Sequence, residues 1–154
     1  AGAMGKYYYA NYVLFLVHGI FKQSLAKYSG ATKDDINKLY DGLWNGTKSV
    51  TSRTKFNQNP RLLIGIKMKD HRTQIPGLRD SIVITNQNIN NFYETEIIVD
   101  SFIELINEFK TKILSIELKQ DPMNKYKYIN EEFTDLKQLI EQKLNLRVEN
   151  IKFS

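Results

Sequence analysis

The amino-acid sequence predicts a single α+β domain of the ferredoxin-like or RRM-like class, an antiparallel sheet with helices on one face, extended by a C-terminal helix and a short strand. A chain of 154 residues with 42% hydrophobic content is long enough to bury one core. Apolar runs and amphipathic periodicities alternate in the order strand, helix, strand, strand, helix, strand. Residues 1–4 have the composition of an expression-tag remnant, so we take the domain to cover residues 5–154.

The first strand and helix follow from an apolar run and a capping pattern. The run from Tyr7 to Phe21 is dense in Tyr, Val, Phe and Ile, which predicts a long and largely buried strand that includes His18. Thr32 stands three residues ahead of Asp35, the spacing of a capping box, and therefore begins a helix. We expect Gly46 to end this helix. Its apolar face consists of Ile36, Leu39, Tyr40, Leu43 and Trp44, which predicts a core position for the single tryptophan.

The later elements are predicted by the same rules. A Pro76-Gly77 pair marks a turn in a projecting loop between Lys69 and Asp80. Asn130 is expected to cap the last helix, with Glu131 and Glu132 in its first turn. The predicted strands are Leu62 to Met68, Ser81 to Thr85, Ile113 to Leu118 and Val148 to Phe153, and a further helix begins near Asp100 with Val99, Phe102, Ile103, Ile106 and Phe109 on one side.

Charge is segregated along the chain although the formal net charge is only +5. Residues 1–80 carry 13 basic and 5 acidic side chains, whereas residues 81–154 carry 9 and 12, so the two halves amount to +8 and −3. Between Lys48 and Arg79 there are eight cations and one acid, Asp70. Such a stripe suits a polyanion such as RNA, and a solvated surface is an equally weighted alternative from charge alone.

The connection from Lys48 to Arg61 has the composition of a loop that follows a phosphate backbone. Gly46 allows a close approach of the main chain to a ligand. Hydroxyl side chains offer hydrogen-bond donors, and Arg53, Lys55 and Arg61 supply positive charge. Contacts of this type hold a nucleic-acid strand without reading its bases. The connection therefore predicts sequence-tolerant RNA binding.

Residues 43–63 contain Leu-Trp-Asn-Gly-Thr-Lys, then Arg-Thr-Lys-Phe-Asn-Gln and Pro-Arg-Leu-Leu, and these resemble the pattern of the crRNA-backbone subunit of type I-B CRISPR Cascade, in the RAMP superfamily. The resemblance extends from about Met4 to about Ile84 and corresponds to the C-terminal half of that subunit. It implies a truncated piece or a short viral homologue.

In that family, repeated copies form a filament along the guide RNA, with a palm that holds the backbone and a thumb loop that flips bases out. The resemblance implies RNA contact by Lys48, Arg53, Lys55, Asn57, Gln58 and Arg61, and a possible thumb loop from Asp70 to Asp80 that includes Arg72 and Arg79. The partners that it implies are guide RNA, other Cascade subunits and further copies of the chain, in the cytoplasm of a prokaryotic cell. We expect no enzymatic activity, cofactor, metal, membrane or small-molecule substrate.

Two other functions stay open at this point. A viral relative of the subunit would act as an anti-CRISPR protein that enters or blocks the type I-B complex. A metal-dependent ribonuclease is the lesser alternative, since related type III subunits cleave RNA with a loop aspartate, and Asp70 and Asp80 would be its candidates.

Overall fold

The computed structural model describes residues 13–50, 58–84 and 95–153. The helices are α1 (Gln23–Ser29), α2 (Lys33–Asp41), α3 (Thr47–Ser49), α4 (Asp100–Phe109) and α5 (Leu136–Leu144). The strands are β1 (Leu62–Met68), β2 (Val83–Ile84), β3 (Ile97–Ile98), β4 (Ile113–Gln120), β5 (Tyr126–Tyr128), β6 (Glu131–Phe133) and β7 (Val148–Asn150). The predicted α+β class, with an appended helix and strand at the C-terminus, is confirmed.

Helix α2 begins where the capping pattern predicts it. The Thr32 backbone N–H donates to Asp35 Oδ2 over 2.8 Å, and Asp35 N–H donates back to Thr32 Oγ1 over 3.4 Å. The predicted end at Gly46 is wrong, because a π-helical turn over Gly42–Gly46 carries the helical path into α3. Gly46 itself has helical dihedrals, φ −60° and ψ −40°, so it does not stop the chain.

The strands divide between two sheets. One has the order β1-β4-β7, in which β4 pairs antiparallel with β1 and parallel with β7. The other has the order β2-β3-β5-β6, with antiparallel pairs at its two edges and a parallel pair between β3 and β5. Antiparallel pairing is therefore the more frequent, as predicted, but the strands do not all join one sheet.

A single apolar core lies between the two sheets and helices α4 and α5. Phe102, Ile103 and Ile106 face it from α4, which confirms the apolar side predicted for that helix. Strand β4 contributes Ile113, Ile116 and Leu118, and α5 contributes Leu136, Leu139, Ile140 and Leu144. Burial of these apolar side chains stabilises the fold, because each Å² of apolar surface removed from water contributes about 25 cal/mol.

Two predicted elements differ in the structure. Residues 13–21, the described part of the predicted first strand, form no strand and are almost entirely exposed, so His18 is not a core histidine. A strand forms only against a partner edge, and no described strand pairs with this segment. Asn130 does not cap the last helix, because it lies in a left-handed turn (φ 64°) between β5 and β6. Asp135 caps α5 instead and accepts from the N–H groups of Lys137 and Gln138.

The loop between Lys69 and Asp80 lies against the core instead of projecting. Ile75 and Leu78 pack on the core cluster, while Arg72 and Arg79 remain exposed. Gly77 turns the chain with a left-handed φ of 70°, and a 3-10 turn over Leu78–Ser81 follows.

Candidate nucleic-acid interface

The β1-β4-β7 sheet has a second, polar face opposite the core. Ile64 and Ile66 of β1 point to the core, so the alternation of side chains turns Gly65 and Lys67 to the other face. Glu117 stands opposite Gly65 in the register, and Lys119 opposite Leu63. By the same alternation this face carries Gly65, Lys67, Glu117 and Lys119, together with the apolar Leu63.

Helix α2 packs on the polar face through Tyr40, at the position of Gly65. A Cβ atom on residue 65 would lie 2.9 Å from Tyr40 Cζ and closer still to its hydroxyl oxygen. Only glycine leaves room for the ring there. Tyr40 also hydrogen-bonds Glu117, and burial together with this carboxylate raises the pKa of Tyr40 to about 12. Lys67 forms an ion pair with the same carboxylate.

Trp44 lies on the next helical turn and is only 5% exposed. Two lysines stand over its ring. The Nζ atoms of Lys48 and Lys119 each lie 5.5 Å from the ring centroid. Lys119 Nζ is also 4.6 Å from the centroid of Phe153. An ammonium at such a distance is attracted by the negative face of the ring, a contribution of about 0.5–1 kcal/mol at exposed sites. Trp44 is buried, as predicted, but it lies on the face opposite the core cluster and is not part of that cluster.

The cations near this face differ in what they contact. Lys67 is paired with Glu117, and Lys69 Nζ donates to the backbone oxygen of Thr111 over 2.8 Å. Within residues 13–50, 58–84 and 95–153, no carboxylate lies within 4.0 Å of the ammonium of Lys48 or Lys119. No described carboxylate therefore neutralises these two lysines, of which Lys48 is exposed and Lys119 half-buried.

Residues 1–104 match the family described as CRISPR-associated protein Cas7. The chain belongs to this family. Membership gives the chain a CRISPR-associated role of the RNA-binding backbone type, and Cas7 proteins are generally non-catalytic subunits. A search of curated proteins finds no match. Across the described ranges, no helix of this Cas7-family chain is long and apolar enough to cross a membrane.

The structure describes three of the six residues that the sequence assigns to RNA contact. Lys48 is exposed in α3, beside Trp44. Gln58 is half-buried ahead of β1. Arg53, Lys55 and Asn57 lie outside the described residues, so their assignment stays a prediction. The third described residue, Arg61, lies in a different environment.

Arg61 is 6% exposed and belongs to a buried polar cluster. Its Nε donates to Asn124 Oδ1 over 2.7 Å, and Asn124 Nδ2 donates to the Arg61 backbone oxygen and to Tyr126 Oη, each over 2.7 Å. The Asp121 N–H donates to the same Arg61 oxygen over 2.9 Å. Burial raises the pKa of Tyr126, which keeps this hydroxyl neutral. Arg61 thus joins the end of the cationic connection to the turn between β4 and β5.

The hydroxyl groups at the start of the connection are used inside the helix. Thr47 Oγ1 donates to the Leu43 oxygen over 2.7 Å, and Ser49 Oγ donates to the Gly46 oxygen over 2.8 Å. A hydroxyl has one proton to donate, so these two offer a phosphate none. Positive charge, not hydroxyl donation, is what this end of the connection presents.

Asp70 caps the turn that follows β1. Its carboxylate accepts from Thr73 Oγ1 over 2.6 Å and from the N–H groups of Arg72 and Thr73 over 2.8 Å, and these bonds lower the pKa of Asp70. Among the described residues, no group of three or more His, Cys, Asp or Glu side chains could hold a metal ion. The exposed Arg72 and Arg79 lie on this same loop, and their assignment to a thumb stays a prediction.

Sequence reasoning missed Lys119. This lysine belongs to the acid-rich half of the chain and lies beyond the residues that match the family. The alternation Ile116, Glu117, Leu118, Lys119 identifies the face on which it lies, but not the helix that crosses that face. The approach of Trp44 to Lys119 depends on the pairing of β1 with β4, which the local pattern does not specify.

Proposed function

We propose that this chain is a non-catalytic, Cascade backbone-type module of a type I-B system that binds guide-RNA phosphates and neighbouring Cascade subunits in the cytoplasm. The observation that carries the proposal is the exposed ammonium of Lys48, held over Trp44 with no carboxylate of the described residues beside it, at the entrance to the cationic connection. Membership of the Cas7 family supports it.

In this proposal, Lys48, Arg53, Lys55, Asn57 and Gln58 contact the sugar-phosphate backbone. Arg61 holds the end of the connection against the β4–β5 turn, because its side chain is buried and bonded to Asn124. Phosphate contacts without base contacts give binding that is tolerant of sequence and sensitive to salt. That is the behaviour required of a subunit that must accept any guide.

Contact with a neighbouring Cascade subunit is proposed for the exposed apolar segment from Val13 to Tyr28. Phe15 and Val17 are 79% and 80% exposed and belong to a run of exposed apolar side chains. Single apolar residues on a surface are ordinary, whereas a group of them indicates an interaction site. The other exposed apolar side chains of the segment are Val13, Leu16, Ile20, Phe21, Leu25 and Tyr28. A subunit of the assembly that covers these side chains removes their apolar surface from water.

The test of RNA binding is a charge reversal with a matched control. Lys48→Glu, Arg53→Glu and Lys55→Glu are combined in one variant, and Lys110→Glu, Lys125→Glu and Lys143→Glu in another. The control lysines are exposed on other elements, so both variants change the net charge by the same amount. Arg61 is left intact because reversing a buried cation would damage the fold.

Affinity for several single-stranded RNAs of unrelated sequence is then measured at increasing salt. We expect the first variant to lose most of its affinity on all sequences and the control to lose little. Equal losses in the two variants would mean that only net charge matters, and the proposed contact would have to be abandoned.

A second candidate is an anti-CRISPR protein that occupies the position of a backbone subunit. The exposed apolar segment favours docking on a complex, and residues 105–154, which supply most of the core, lie outside the range that matches the family. Co-purification with a type I-B complex together with improved phage plaquing would support it. If the chain does not co-purify with the complex and does not improve plaquing, this candidate is refuted, and the RNA-binding test is unaffected.

A further inference from the structure

Lys119 and Lys48 share one aromatic ring although 71 positions separate them in the sequence. Each Nζ lies 5.5 Å from the centroid of Trp44, so the two ammonium groups are at most twice that distance, 11 Å, apart. Lys48 comes from α3 and Lys119 from β4. The tertiary fold thus brings a lysine from the acid-rich half of the chain close to the start of the cationic connection.

Lys119 is half-buried, and two aromatic rings hold its ammonium in place. Its ammonium lies over both Trp44 and Phe153, at 5.5 and 4.6 Å from the ring centroids. Aromatic faces attract an ammonium without neutralising its charge as a carboxylate does, so the positive charge of Lys119 remains for an anion. No carboxylate in the described part of the chain lies within 4.0 Å of it. The neighbouring cation on this face, Lys67, is instead neutralised by Glu117.

We propose that Lys119 is a phosphate-binding residue that acts together with Lys48 beside Trp44, and that their ligand is the backbone of single-stranded RNA. This inference rests on the proposed function and adds to it a contact beyond the Lys48 to Arg61 connection. The two ammonium groups over this ring hold the RNA backbone at the point where the RNA leaves α3, and they direct the RNA across β4. Trp44 supports the lysines and does not stack a base, because it is 5% exposed.

The chain offers a close control. Lys143 on α5 also stands over an aromatic ring, with its Nζ 5.6 Å from the centroid of Tyr128. Lys119→Gln and Lys143→Gln therefore remove the same charge and the same kind of ring contact at two different places. Lys48→Gln reports on the proposed function itself, and the double variant Lys48→Gln/Lys119→Gln reports on their joint action.

The experiment measures the affinity of the full chain and these variants for a 15-nucleotide RNA of mixed sequence between about 50 and 500 mM salt. Each phosphate contact to a single strand contributes about 0.7 to the slope of log K against log salt. We expect Lys119→Gln to lower the slope by about 0.7 and the affinity at about 0.1 M salt roughly fivefold, the double variant to lower the slope by about 1.4, and Lys143→Gln to change neither.

Fluorescence of Trp44, the single tryptophan, gives a second measurement. Phosphates that approach both ammonium groups change the electrostatic field at the indole, so the emission should change on titration, and the change should be smaller in Lys119→Gln. If Lys48→Gln lowers the slope while Lys119→Gln behaves like Lys143→Gln, the role of Lys119 is refuted and the proposed function stands. If the unaltered chain binds no RNA, both are refuted.

Discussion

Replacing Asn124 with alanine should destabilise the fold strongly, because the substitution removes the centre of the buried polar cluster around Arg61. Asn124 is 1% exposed, and its side chain accepts one bond from a guanidinium and donates two, all over 2.7 Å. Loss of the charge-assisted bond costs about 1.5–3 kcal/mol and each of the two neutral bonds about 1 kcal/mol, so the free energy of unfolding should fall by about 3.5–5 kcal/mol. For a domain of this size that corresponds to roughly 8–15 °C in melting temperature.

Urea unfolding followed by circular dichroism measures this loss, and the m-value should stay constant because the buried surface is unchanged. Asn107→Ala, on the exposed face of α4, is the control and should change stability by no more than about 0.5 kcal/mol. Arg61→Met supplies the second arm of a double-mutant cycle with Asn124→Ala. A coupling energy of at least about 1 kcal/mol is expected, since both side chains belong to one network. Losses that simply add, or a loss for Asn124→Ala as small as that of the control, would refute the structural role of Arg61.

Three further variants probe the packing of α2 and α5. Gly65→Ala should cost about 1–3 kcal/mol in urea unfolding by forcing Tyr40 off the sheet, and a smaller cost in a Tyr40→Ala background would confirm the clash. The folded-state pKa of Tyr40 is raised from 10.0 to about 12, so its stabilising contribution is complete below pH 10 and is lost as the pH rises through 12. Between pH 10 and 12, the Tyr40→Phe variant should therefore lose less stability than the unaltered chain. Parallel curves of stability against pH for the two proteins would contradict the raised pKa of Tyr40. Asp135→Ala removes the cap of α5 and should cost about 1 kcal/mol, whereas a change below about 0.3 kcal/mol would show that the cap is dispensable.

Local patterns predicted the elements whose signals are contained in a few neighbouring residues. The capping box of Thr32 and Asp35, the strand after Pro60 and the apolar side of α4 all form as predicted. Each depends on contacts within one or two turns, or on burial against any apolar surface, and so can be recognised without knowing the topology.

Elements that depend on distant partners were predicted less well. The apolar run before α1 has the composition of a buried strand, but residues 13–21 have no strand partner among the described residues. Asn130 has a suitable cap composition, yet the β5–β6 hairpin takes Glu131 and Glu132, so the helix starts later at Leu136. In both cases tertiary pairing overrides local preference.

The candidate site shows the same division. Lys48 could be predicted because it lies in a cationic connection, whereas the burial of Arg61 depends on Asn124, which is 63 positions away. The composition of the connection gave no indication that one of its cations would be internal. Lys119 was missed because its nearest neighbours in sequence include no other cation, and only the pairing of β4 with β1 brings it to Trp44.

The pairing of β1 with β4 also affects how the chain is made on the ribosome. Leu62 pairs with Gln120 and Met68 with Ile113, so β1 meets β4, its partner among the described strands, only after about fifty further residues have been synthesised. Strand β7 and helix α5, which complete the core, emerge later still. The family-matching part of the nascent chain therefore waits with apolar side chains uncovered, and long-range closure of this kind is slow and open to aggregation. Expression at reduced translation temperature or with a holdase chaperone should raise the soluble yield for this reason.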